Sequence, residues 1–235
     1  LHLLIKLTKL TDYKIYKGWS IPQNESHFNQ YLQNNFKCDY QDKINNILKH
    51  QIKKKNNVAI DVGANIGMMS VRYCKSFDHV YSFEPISVNF QCLENNTKHL
   101  NNITLHKVGL GDVNVIETIY NKQDYDNSGG WSVTDWQDTK WMHYNKDTKL
   151  ISENISINTL DSYNLKPDFI KIDTQGYELN VLIGAAQTIS EYKPIILLEL
   201  DRNKPKLKQK IQKFMTNNKY KLIANFRKDH LYKAK

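Results

Sequence analysis

The chain has 235 residues, with 33 Lys and Arg against 24 Asp and Glu, a formal net charge of +9. It is 40% hydrophobic and 24% charged, which suits a globular chain with a continuous core and excludes a disordered one. No apolar run approaches the roughly 18 residues of a membrane-spanning helix.

The opening, residues 1–55, is rich in Lys, Asn and Tyr and reads as a helical or irregular extension. One helix is expected at Asp42–Ile52, where Ile44, Ile47, Leu48 and Ile52 recur at helical spacing. Residues 56–235 read as a single domain. Its first strand, Val58–Val62, runs into a glycine turn, and a helix follows over Ile66–Lys75. Then come a strand at His79–Phe83, a helix at Ile86–Leu100 and a strand at Ile103–Val108. An insertion at about 121–154, polar and turn-rich, interrupts the alternation and holds Trp131, Trp136 and Trp141. Strands at Pro167–Ile172 and Pro194–Leu200 flank a helix at Tyr177–Ser190. Last, an amphipathic helix presents Leu207, Ile211, Phe214 and Met215 on one face, and Tyr220–Phe226 with Leu231–Lys233 form a closing antiparallel hairpin.

Strands alternating with helix-length crossovers imply an α/β fold with a doubly wound, mostly parallel sheet. Ligands of such sheets lie beyond the carboxyl ends of the strands, near the point where strand order reverses. Asp61, Glu84, the Gly109–Asp112 turn, Asp173 and Glu199 occupy those ends. In Asp61-Val62-Gly63-Ala64-Asn65-Ile66-Gly67 the glycines permit a tight turn and close approach of a ligand, and Asn65 suits left-handed geometry. The run is neither G-x-G-x-x-G nor a Walker loop. Glu84 ends the second strand, where a carboxylate can accept hydrogen bonds from two ribose hydroxyls.

Asp61–Gly67 resembles the first motif of class I S-adenosylmethionine-dependent methyltransferases. Phe83-Glu84-Pro85, Thr159–Ser162, Asp168–Glu178 and Ile196–Glu199 narrow the resemblance to the FkbM family, over about residues 58–200 and the terminal strands. The resemblance implies a Rossmann-like sheet, S-adenosylmethionine as cofactor and methyl transfer as the reaction. It assigns the methionine part of the cofactor to Asp61, Gly63, Asn65 and Gly67, and the ribose to Glu84. Pro85 and Ile86 would flank the adenine, with Gly109, Leu110 and Asp112 at its edge. Gly109 and Asp112 also read as ordinary turn residues. The family usually carries Glu where this chain has Gln175. An amide cannot take up a proton near neutrality, so Gln175 is not a candidate base.

A hydroxyl acceptor requires a base as well as alignment for attack on the methyl group. The candidates are Asp173, Glu199, Glu178 and, in the insertion, His143. Three of these have a plainer role open to them: Asp173 as a cofactor contact, Glu178 as a first-turn helix acid, His143 as a solvated loop residue. Asp173 and Glu199 are also the pair that could hold a divalent metal. The insertion's aromatic residues suit a lid over a sugar or a base, a small core of their own, or a dimer contact.

Residues 202–235 hold twelve Lys and Arg against Asp229 alone, so this segment carries +11 and residues 1–201 carry −2. A solvated lysine face accounts for it, and an approach to RNA, DNA, an anionic glycan or a membrane surface is the alternative. The leading expectation is an O-methyltransferase acting on a sugar hydroxyl of a glycan or glycoconjugate. A nucleic-acid methyltransferase and a catalytically degenerate binding module stand against it. The three cysteines, Cys38, Cys74 and Cys92, have no CxxC spacing, so a reducing, cytoplasmic setting is expected. Position 1 is Leu rather than Met, which leaves a lost leader or a longer parent chain open.

Overall fold

Short β-branched runs bounded by turn residues form strands, and the longer periodic stretches between them form helices. The computed structural model describes residues 12–33, 39–52, 57–122, 127–131, 150–201 and 204–235. The chain opens with a hairpin, β1 (Tyr13–Tyr16) and β2 (Trp19–Pro22), then helices α1 (Asn29–Gln33) and α2 (Asp39–Gln51). The alternating body follows: β3 (Val58–Val62), α3 (Met68–Tyr73), β4 (His79–Phe83), α4 (Ser87–Thr97) and β5 (Ile103–His106). A second, three-stranded sheet comprises β6 (Gly109–Leu110), β7 (Val115–Lys122) and β8 (Leu150–Asn158). Then come β9 (Phe169–Ile172), α5 (Glu178–Ile183), α6 (Ala186–Tyr192), β10 (Ile195–Glu199), α7 (Pro205–Asn217), β11 (Tyr220–Phe226) and β12 (Asp229–Ala234).

The main sheet has seven strands in the order β11-β12-β10-β9-β3-β4-β5. β5, β4, β3, β9 and β10 pair in parallel, and β12 is antiparallel to both β10 and β11. This is the expected doubly wound sheet with its C-terminal hairpin. The chain leaves β3 toward β4 and β5, then returns to the other side of β3 as β9. Strand order therefore reverses between β3 and β9, which places a ligand crevice beyond their carboxyl ends.

Successive side chains on the central strands enter opposite cores. Ile60, Val62, Ile170, Ile172, Ile196 and Leu198 pack on one face, and Ala59, Phe169, Ile195 and Leu197 on the other. Such parallel strands are covered on both faces, and burying each large aliphatic side chain stabilises the fold by about 1.5–3 kcal/mol. Ile44 and Leu48 of α2 join the second core, so the opening segment packs on the sheet.

Three elements differ from expectation. The opening segment contains the β1–β2 hairpin, which lies against α4. The insertion is the connection of a long hairpin whose arms, β7 and β8, pair from Val115–Ile157 to Lys122–Leu150. The helix expected over Tyr177–Ser190 is two, separated at Gly184. There the Gly184 carbonyl accepts the Asp161 N–H at 3.0 Å. The Asp161 carboxylate in turn accepts the Gln187 and Thr188 N–H groups at 3.0 and 2.8 Å, starting α6. A methyl group added at Gly184 would lie 1.8 Å from the Gly111 carbonyl oxygen, so this crossing requires glycine.

Candidate functional site

Three positive-φ residues shape the turn after β3: Gly63 at +76°, Asn65 at +51° and Gly67 at +89°. A Cβ on Gly63 would lie 2.0 Å from the Asp173 carbonyl oxygen, so only glycine lets this turn sit on the end of β9. A Cβ on Gly67 would instead strike Leu93 at 2.6 Å. Gly67 thus brings α3 against α4 and is placed as a packing residue. The turn is closed from β4. Glu84 accepts the Asn65 N–H at 2.8 Å and the Ile86 N–H at 3.0 Å, with Asn89 Nδ2 at 3.5 Å. Its carboxylate is 4% exposed, and burial pushes its pKa up to about 7 despite these donors. Pro85 is half-buried beside it, while Ile86 is buried against Ile119, Ile155 and Ile157.

Asp61 lies beneath the turn and is fully buried. It accepts the Ser70 hydroxyl at 2.7 Å, Ser70 accepts that of Ser82 at 2.9 Å, and the Lys171 ammonium lies 3.4 Å away. Asp61 supports the turn from below through Oδ2, while its Oδ1 faces the Lys171 ammonium and has no hydrogen-bond partner among the described residues. Lys171 is its register partner on β9 and also reaches Asp173 at 3.3 Å. Burial opposes the charge of Lys171, but Asp173 and Asp61 outweigh it and raise its pKa. A lysine inside the apolar strand Phe169-Ile170-Lys171-Ile172 was the signal for this pair, since a buried ammonium requires carboxylate partners.

Asp173 and Glu199 do meet beyond β9 and β10. The Asp173 carboxylate, then burial and a shared hydrogen bond, raise Glu199 well above the usual carboxylate range. Asp229, opposite Glu199 in the β10–β12 register, is raised to about 6 by burial and then by Asp173. Gln175, in left-handed geometry at φ +55°, donates its amide to Asp173 Oδ1 at 2.9 Å. Where the family usually has a third acid, this chain supplies a donor.

The other candidates are placed differently. Glu178 is 3% exposed, and its Oε1 accepts the Gly176 N–H at 2.8 Å and the Thr174 N–H at 3.3 Å. It braces the 174–176 loop. Leu110 is buried in the main core, Gly109 packs on Ile155 and Ile157, and Asp112 accepts the Asn180 amide at 3.0 Å. These contacts give all three structural work in the fold. His143, Trp136 and Trp141 lie outside the described residues. Asp173 already has the Lys171 ammonium and the Gln175 amide, and no cluster of three metal-ligating side chains occurs among the described residues. The pair does not fit a divalent ion.

The family model for the methyltransferase FkbM domain matches residues 61–222, more than half of the chain. The chain belongs to the FkbM methyltransferase domain family. Among solved structures, methyltransferase FkbM from Methylobacillus flagellatus KT is 21% identical with a TM-score of 0.52 over 78% of this chain. The chain spans only 45% of the length of that protein. A ribosomal protein L11 methylase from Lactobacillus delbrueckii subsp. bulgaricus is 12% identical, with a TM-score of 0.51 over 85% of this chain and 81% of its own. At these identities the likeness is one of fold. No curated protein matches the chain in sequence. The FkbM region takes in the glycine turn, Glu84, Lys171, Asp173 and Glu199, and leaves Asp229 and the opening hairpin outside it.

Proposed function

We propose that this FkbM domain is an S-adenosylmethionine-dependent O-methyltransferase that methylates a sugar hydroxyl of a glycan or glycoconjugate. One observation carries the reading: the Gly63 turn, wedged on the end of β9, is bound through the Asn65 N–H to a buried Glu84 carboxylate at the strand-order reversal. The residues fit the cofactor. Gly63 leaves the backbone open to a ligand, and Asn89 Oδ1, buried beside Glu84, has no hydrogen-bond partner among the described residues. Gly63 and Asn65 would hold the methionine part, Glu84 would accept the ribose hydroxyls, and Pro85 and Ile86 would flank the adenine.

S-adenosylmethionine, when bound, supplies a methyl group on a sulfonium leaving group. The chain's part is to align the acceptor, exclude water and remove one proton. Glu199, its proton affinity raised by Asp173, is the base in this reading. It would take up the acceptor hydroxyl's proton as that oxygen receives the methyl group the cofactor would supply. Asp173, held by Lys171 and Gln175, keeps Glu199 basic enough for that task. Cys74 and Cys92 take no part: burial raises them to about 11 and about 12, which keeps both as unreactive thiols.

Methyl-labelled S-adenosylmethionine, offered with separate glycan, glycolipid and RNA fractions, tests the reading. Label is expected in the carbohydrate as an alkali-stable ether. Label in RNA alone would overturn the acceptor, and label in no fraction would overturn the activity.

A further inference from the structure

Glu25 is 1% exposed, and its carboxylate accepts from two backbone donors. Its Oε1 accepts the Phe28 N–H at 3.1 Å, and its Oε2 accepts the Ser128 N–H at 2.6 Å, more than a hundred residues away in sequence. A carboxylate is costly to bury, and these charge-assisted bonds offset that cost only while the Ser128 turn stays in place. The turn is itself well formed. Asn127 accepts the Gly129 N–H on its side chain at 2.9 Å and the Gly130 N–H on its carbonyl at 3.1 Å.

What the turn touches is the crevice described above. The Ser128 hydroxyl donates to Asn65 Oδ1 at 3.2 Å, and the Ser128 carbonyl accepts Asn89 Nδ2 at 3.0 Å. That same Asn89 nitrogen lies 3.5 Å from Glu84. Gly129 packs so closely that an added Cβ would sit 3.2 Å from Asn65 Nδ2. At the other end, Trp131 packs in the cluster that contains Ile86, Val88 and Tyr177. The turn therefore runs from Asn65 to Ile86, the two ends of the crevice. The side opposite Glu25 is fixed too: Ile21, Phe28 and Leu32 pack with Ile66 and Cys92, and Asn96 ties Ser20 to the Ile66 carbonyl at 2.8 Å.

We propose that the Asn127–Trp131 turn is a wall of the cofactor crevice, and that Glu25, ahead of the family-matched region, is the residue that positions it. This rests on the cofactor lying along Asn65, Glu84 and Ile86. The opening segment is then part of the binding site, and a chain trimmed to residues 61–222 would lack the wall's anchor.

The test uses the full chain and S-adenosylhomocysteine. Glu25→Gln keeps the shape but turns an amide NH2 toward a backbone N–H, so one of the two bonds must fail. Its affinity is expected to fall about tenfold at a temperature where both proteins are folded, the loss of one charge-assisted bond. Trp131→Phe supplies a readout that a purely structural Glu25 would not move. Ligand should change the parent's tryptophan emission, and both Trp131→Phe and Glu25→Gln should remove most of that change. A parent that binds nothing would overturn the cofactor reading itself. A parent that binds, with Glu25→Gln equal in affinity or Trp131→Phe unchanged in response, would overturn this inference alone. Should Glu25→Gln fail to fold, the Trp131→Phe response decides.

Discussion

Lys171 shows how single residues set the site. Its ammonium lies between two carboxylates, Asp61 at 3.4 Å and Asp173 at 3.3 Å, with Asp61 wholly excluded from water. Removing one partner of such a buried group leaves the others uncompensated. Lys171→Met is therefore expected to destabilise the chain by about 3 kcal/mol, lowering Tm by about 6–12 °C. Thermal unfolding at neutral pH checks this. Addition of Asp61→Asn should recover part of the loss, because the charge that Lys171 balanced is then gone. An unchanged Tm in Lys171→Met would show that water reaches the pair. Glu84 is the other decisive side chain. It is the buried acid of the crevice, and a pKa of about 7 leaves it neutral in mild acid and ionised above. Only the ionised form offers every oxygen lone pair to hydroxyl donors.

At the scale of elements, the five parallel strands and the closing hairpin were legible because their apolar runs are short, β-branched and bounded by turns. The glycine turn was legible because Gly63, Asn65 and Gly67 fall at the end of a strand. What escaped was set by partners distant in sequence. β7 alternates only in part, since Val115 is 39% exposed while Ile119 on the same face is buried, and its pairing with β8 spans the whole insertion. The α5–α6 break depends on Asp161 and Gly111, neither of which is near Gly184 in the chain. Helical periodicity runs straight across that break. Glu178 and Asp112 look like candidate site acids in sequence, and only their loop and helix donors reveal bracing roles. Glu25 gave no signal at all, because nothing local marks it as buried. Gly184→Ala follows from the same geometry. Its methyl group would collide with the Gly111 carbonyl and should cost about 1–3 kcal/mol, read from denaturant unfolding. A neutral or stabilising effect, the usual result of replacing a helical glycine, would contradict the close crossing.

Over the whole molecule, the basic segment meets the crevice through Lys228, whose ammonium lies 3.6 Å from the Glu199 carboxylate. α7 buries Ile211 and Met215 and exposes Lys206, Lys210 and Lys213, so its lysines form a solvated face over a packed one. Just ahead of it, Lys204 donates to the Gln175 carbonyl at 3.2 Å. The acids that shape the crevice come from β3, β4, β9 and β10, where the chain's balance is slightly negative. The site is thus assembled from the sheet's switch point, with the opening segment and the insertion's turn closing one side. In the proposed function, Glu84 and the glycine turn bind S-adenosylmethionine. Calorimetric titration of the full chain with S-adenosylhomocysteine, at pH 6 and pH 8, tests this most directly. A carboxylate with a pKa of about 7 is mostly protonated at the lower pH and mostly ionised at the higher. Affinity should therefore rise about tenfold from pH 6 to pH 8, and Glu84→Ala should bind weakly with no such dependence. No heat of binding at millimolar ligand, or equal binding by Glu84→Ala, would contradict it.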